Sequence, residues 1–201
     1  MLVIGVGTAQ PSSNEFSWSG RRHDDDAPGA SRGNSSAELF DAVFHALHDG
    51  EQVAVGVAGA LSAPLPDGGI DAVNERALEV LATAEGQAPD IVRIRTLLDE
   101  LGKWRPWTVV STSLGRWRAT TSVLVWQIET DAAAVDERAA DAAVEAFYER
   151  VRTASDAAPA SDRRVLNLPA AIAMRAGLGV DTAQLTEPPL AIAPLRERDL
   201  R

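Results

Sequence analysis

Cysteine is absent from the 201 residues, which excludes disulfides, thiolate zinc sites and a cysteine nucleophile together. Lysine is almost absent too. Lys103 is the single lysine beside a large arginine set, so a Schiff-base or P-loop mechanism has one candidate, and no GxxxxGK[ST] surrounds it. Long apolar runs are missing: nothing approaches the roughly 20 residues needed to cross a bilayer. Met1 leads straight into a strand pattern without the basic start of a signal peptide, so no membrane association and a cytoplasmic location are expected. Positive charge is also short. The formal net charge of −10 would repel a polyanion, so nucleic acid is not an expected partner without a local basic face.

What is present has the balance of a globular protein, with 45% hydrophobic and 24% charged residues. The length suits a single domain over 1–201, since a chain of this size can bury one core. "LVIGVGTA" (2–9) is a short β-branched run, and "EFSWSG" (15–20) alternates Phe16 and Trp18 with polar neighbours. Together they predict strand, turn, strand. Residues 21–37 are polar and rich in turn formers; they predict a loop or a weakly marked edge strand.

Ser35 and Glu38 have capping-box spacing before the apolar face Leu39, Phe40, Val43, Phe44 and Leu47, and Gly50 stops that helix. A strand over 52–58 follows, with Val53, Val55 and Val57 on one face and Ala54, Gly56 and Ala58 on the other. The small face would let a helix approach closely. Helices are predicted over 71–84, over 90–101 with its end at Gly102, and over 132–152. "WTVVSTS" and "TTSVLVWQIE" read as strands separated by "LGRWRA", and 153–164 as a linker. A helix over 168–176, capped by Asn167, precedes the short closing strand "PLAIAP".

The order of elements and three short stretches resemble an uncharacterised bacterial family of predicted nucleases with an RNase H-like fold. The first strand of that family runs apolar, Gly, apolar, Asp, any residue, Ala; here the stretch is Gly5, Val6, Gly7, Thr8, Ala9. Its central strand reads Gly, apolar, acid, small, Pro, Leu; here it is Gly56, Val57, Ala58, Gly59, Ala60, Leu61, followed by Pro64 and Pro66. "NLPAAIAMRAGLGVDTAQLTEPPLAI" looks like its closing helix and final strand. The resemblance implies an α/β fold: an RNase H-like mixed sheet with antiparallel N-terminal strands and helices on both faces. It also implies three metal carboxylates, at the positions held here by Gly7, Ala58 and, nearest the closing helix, Asn167. Side chains of glycine and alanine cannot ligate a metal, so the catalytic set is degenerate and no cofactor is expected.

Several other groups bear on function. Asp24, Asp25 and Asp26, beside His23, and also Asp181, are candidate replacement ligands for Mg²⁺ or Mn²⁺; a solvated loop and a helix cap are the plainer readings. His45 and His48 sit three apart on the first helix with Asp41 and Asp49 near, again either a metal pair or a polar face. Gly5 and Gly7 begin a GxG, but Gln10 breaks GxGxxG and turn residues follow in place of a helix. Three of the five tryptophans fall in the one basic, aromatic stretch, around Lys103, Trp104, Arg105, Trp107, Arg116, Trp117 and Arg118. Such interleaving either finishes a core or offers a binding surface.

Two functions are therefore expected to compete. One is a degenerate RNase H-like domain acting by binding a protein partner or its own copy. The other is a divergent Mg²⁺- or Mn²⁺-dependent phosphoester hydrolase with recruited carboxylates. An actin-like nucleotide-binding module is a third reading, and it would show stabilisation by ATP.

Overall fold

A computed structural model describes residues 1–8, 16–23, 31–65, 89–120, 123–130, 135, 137–153 and 164–195. The helix expected over 71–84 and Asp24 to Asp26 lie outside the described residues. The first strands form an antiparallel run: β1 (Leu2–Thr8), β2 (Phe16–Arg22) and β3 (Ser31–Gly33). After α1 (Ser36–His48) the chain enters β4 (Val53–Ala58), which pairs parallel with β1. Then come β5 (Ser62–Pro64), α2 (Pro89–Trp104), β6 (Val110–Ser111), α3 (Leu114–Thr120) and β7 (Val123–Ile128). The remaining elements are α4 (Glu137–Thr153), β8 (Val165–Asn167), α5 (Leu168–Arg175), a 3₁₀ turn (Thr182–Thr186) and β9 (Ala191–Ile192).

The result is a mixed α/β sheet in the order β3-β2-β1-β4-β7-β6, with β9 beside β6 on the same edge of β7. β5 and β8 pair separately. Alternation along the strands divides the interior. Ile4, Val6, Val53, Val55, Val57, Val123 and Val125 face one core with apolar residues of α1, α2 and α5. Val3, Ala54, Leu124, Trp126 and Ile128 face the other, with Trp117 of α3 and Val144 and Phe147 of α4. A period of two in the sequence thus buries both faces, as parallel strands require.

Local chemistry sets the helix ends. The Ser35 hydroxyl accepts from the Glu38 N–H at 3.2 Å, and the Glu38 carboxylate accepts from the Ser35 N–H at 3.3 Å, a complete capping box. Polar ties hold α4 across β2 and β3: Ser19 and Arg32 bond to Asp141, Arg32 also pairs with Glu137 at 2.5 Å, Arg21 pairs with Glu145, and the Tyr148 hydroxyl donates to the Arg21 carbonyl at 2.8 Å.

The structure departs from expectation at identifiable places. Gly102 does not end α2, which continues to Trp104; the missing side chain lets the Ala176 carbonyl of the next layer sit where a Cβ would be. "LGRWRA" is helical, because Leu114 and Trp117 are three apart and both turn into the core. Strand character in "WTVVSTS" is confined to Val110–Ser111. Among the described residues of the polar 21–37 stretch, 31–33 join the sheet as a separate edge strand and Arg21 and Arg22 extend β2. Gly56 explains the small face of β4. A Cβ there would enter the indole ring of Trp126, its partner across the ladder. Gly56→Ala is expected to cost about 1–3 kcal/mol by overpacking, seen as a lower urea midpoint with an unchanged m value.

Candidate functional site

In open α/β sheets, ligands bind outside the carboxyl ends of the parallel strands. Those ends here are Thr8, Ala58, Ile128 and Ser111. The β1–β4 ladder pairs Gly5 with Gly56 and ends with Val6 opposite Val57, so Gly7 and Ala58 each lie one residue beyond the last paired rung. Alternation puts Gly7 on the face of Gly5 and Ala58 on the face of Gly56, and Ala58 pairs on its other side with Ile128. That face is dry. Ala58 is 5% exposed and packs with Val135 and Ala140, both wholly buried. The first turn of α4 lies so close that a Cβ on Gly5 would stand 2.7 Å from the Ala140 carbonyl oxygen.

Asn167, the third position, does something different. It caps α5: its Oδ1 accepts from the Ala170 N–H at 3.1 Å. Its Nδ2 donates to the Thr112 hydroxyl at 2.8 Å and to the Glu187 carbonyl at 2.9 Å. The Thr112 hydroxyl and N–H in turn donate to Gln184 Oε1, at 3.2 and 2.7 Å, and Ser111 Oγ lies 2.9 Å from the same oxygen. Asn167, Ser111, Thr112 and Gln184 are all buried. This network stitches β8, the end of β6 and the 3₁₀ turn together. An amide oxygen cannot take a proton at neutral pH, so neither hydroxyl is set up as an activated nucleophile.

Carboxylates near this edge are already engaged. Asp181 caps the 3₁₀ turn by accepting from the Ala183 N–H at 3.0 Å, and it pairs with Arg116 Nε at 3.0 Å. Arg116 also forks onto Glu187. The hydrogen bond to Glu187 chiefly holds the Arg116 guanidinium above the ordinary arginine range; burial opposes this, and the Glu187 and Asp181 charges reinforce it. Asp181, treated above as a metal candidate, is thus a cap and an ion-pair partner. Among the described residues, no three His, Asp or Glu side chains gather closely enough to hold a metal ion. His45 and His48 lie exposed in the last turn of α1, with no third ligand beside them.

The basic, aromatic stretch is divided by the fold. Trp117 is buried against Phe147, with ring centroids 5.9 Å apart, and Arg118 donates to the Val151 carbonyl. Arg116 belongs to the carboxylate pair just described. Trp104 and Trp107 are instead 64% and 69% exposed, with the Arg105 guanidinium 5.7 Å from the Trp107 ring centroid. The Ser111–Thr112–Gln184 network escaped sequence reasoning. Gln184 lies more than 70 residues from its partners, in a turn with no periodic pattern to mark it.

Comparison with family models, curated proteins and solved structures found no significant match to this chain. No helix among the described residues is long and apolar enough to cross a membrane.

Proposed function

We propose that this chain is an RNase H-like domain, akin to the predicted-nuclease family it resembles, that lacks the metal chemistry and acts by binding a protein partner or a second copy of itself. One observation carries the reading. At the strand ends where the resemblance calls for two acids stand Gly7 and Ala58, each one residue past the last paired rung of β1 and β4, and Val135 and Ala140 pack against Ala58. A divalent ion held there would need several oxygen ligands and access to water; an apolar plug supplies neither. Asn167, at the third position, spends its amide on a cap and two buried donations. The antiparallel run β3-β2-β1, continued by parallel β4 and β7, is the sheet this reading requires. The net charge of −10 disfavours a nucleic-acid substrate.

The test is calorimetric titration of the chelator-treated full chain with Mn²⁺. A flat isotherm is expected. A saturable one, abolished by Asp24→Asn, Asp25→Asn or Asp26→Asn, would instead establish a hydrolase-type site built from recruited carboxylates.

A further inference from the structure

Trp104 and Trp107 are the large hydrophobic side chains left exposed among the described residues. Tryptophan is costly to leave in water and is the residue type most enriched at interface hot spots. A hollow of about 290 Å³ lies between α1 and α2, lined by Leu39, Phe40, Leu97 and Glu100 among others. That volume is at the small end for a ligand site and suits one large side chain. The two features share one helical face. Leu97, Glu100 and Trp104 follow the i, i+3, i+7 stripe of α2, and the Trp104 indole N–H donates to Glu100 at 3.2 Å. Knob and hollow are therefore neighbours on the same surface.

We infer that the α1/α2 face joins two copies of this chain about a two-fold axis, the Trp104 indole of each filling the hollow between α1 and α2 of the other. Seven residues of helix separate Leu97 from Trp104, a rise of about 10 Å. An axis crossing α2 near Glu100 sets each Trp104 over the other copy's Leu97, the self-complementary pattern that a closed two-fold interface demands. Charge favours the same pairing in part. Arg105 flanks the knob and the exposed Asp41, one turn along from Ala37 of the lining, borders the hollow, with Arg93 of the lining acting against this pairing. Each Glu100 near the axis is already neutralised by its own Lys103 at 2.6 Å.

Area sets the strength. Each copy buries the exposed part of its Trp104, on the order of 150 Å², and a similar area around its hollow, against about 800 Å² per partner in a standard stable interface. With the helix lips added, this gives a reversible dimer in the micromolar range.

The inference rests on the binding reading above and specifies its partner. Sedimentation equilibrium of the full chain should show monomer and dimer in exchange, with a Kd of roughly 1–10 µM. Trp104→Ala should lower the association constant by about tenfold or more, without changing the circular dichroism spectrum. Thr96→Arg, which puts a long charged side chain into the hollow from an exposed lining position, should do the same. A chain that stays monomeric up to about 100 µM, or a dimer that survives either substitution, overturns the inference. The two failures are separable. A saturable Mn²⁺ isotherm removes the binding-only reading, whereas a flat isotherm from a monomeric chain removes the dimer alone.

Discussion

Ala58→Asp is expected to lower stability by about 3–5 kcal/mol at neutral pH, because it places a carboxylate in a buried setting packed by apolar side chains. Ala58 contacts Val135 and Ala140, and neither side chain can hydrogen-bond to an introduced acid. The pH dependence follows from linkage. Burial raises the carboxyl's pKa in the folded chain above its unfolded value of about 3.9. Well below that value both states are protonated and the penalty is smallest. As pH rises through it, the unfolded chain ionises first, so stability falls until the folded carboxyl ionises as well. Urea midpoints of variant and parent from pH 4 to 8 should therefore diverge with rising pH. A variant that tracks its parent across that range would mean the rung is open to water, and the argument for a sealed strand end would fail.

Asn167→Ala carries the second large effect, about 2–4 kcal/mol. The substitution removes the cap on Ala170 and both Nδ2 donations, to Thr112 and Glu187. A lost cap costs about 1 kcal/mol, and the buried oxygens deprived of a donor supply the remainder. Asn167→Asp separates the two contributions. It keeps the capping oxygen, and a negative charge at a helix N-terminus is favourable, but it sets an acceptor against the Glu187 carbonyl. Its loss in thermal midpoint should be smaller at pH 4 than at pH 7, because a protonated carboxyl can still donate. No loss at either pH value would place the contribution of Asn167 in the cap alone.

The sheet was readable in sequence wherever side chains alternate strongly. Val53, Val55 and Val57 marked β4, and the capping box marked α1 to within a residue. The capping role of Asn167 was likewise visible, from Pro169 two positions on. What escaped depends on partners far along the chain. β5 and β8 are three-residue strands stabilised by each other across 100 residues, and neither has a pattern of its own. Gly102 looked like a stop because a glycine after an apolar stripe usually is one; its actual role, admitting the Ala176 carbonyl, belongs to tertiary packing. Trp117 and Trp104 were indistinguishable by composition, yet one meets Phe147 edge-on in the core and the other faces water. The pairing of Val6 with Val57, which brings the ends of β1 and β4 together, is a matter of ladder register that no linear spacing encodes.

The shared edge of β7 has a consequence for how the chain is made. β1, β2, β3 and β4 are all synthesised by residue 58 and can pair at once. The far side of β7 is different: β6 covers Val123 and Leu124, and β9 covers Gln127 and Ile128. Residues 190–192 tie both together, with the Leu190 N–H donating to the Thr112 carbonyl at 2.7 Å and the Gln127 N–H to the Leu190 carbonyl at 2.7 Å. On the ribosome, the half of β7 nearest its carboxyl end therefore emerges with an open strand edge about 60 residues before its cover exists, a delay of several seconds at ordinary elongation rates. During that interval the nascent chain displays unpaired backbone amides to any passing strand, so the two residues of β9 decide when that edge is closed.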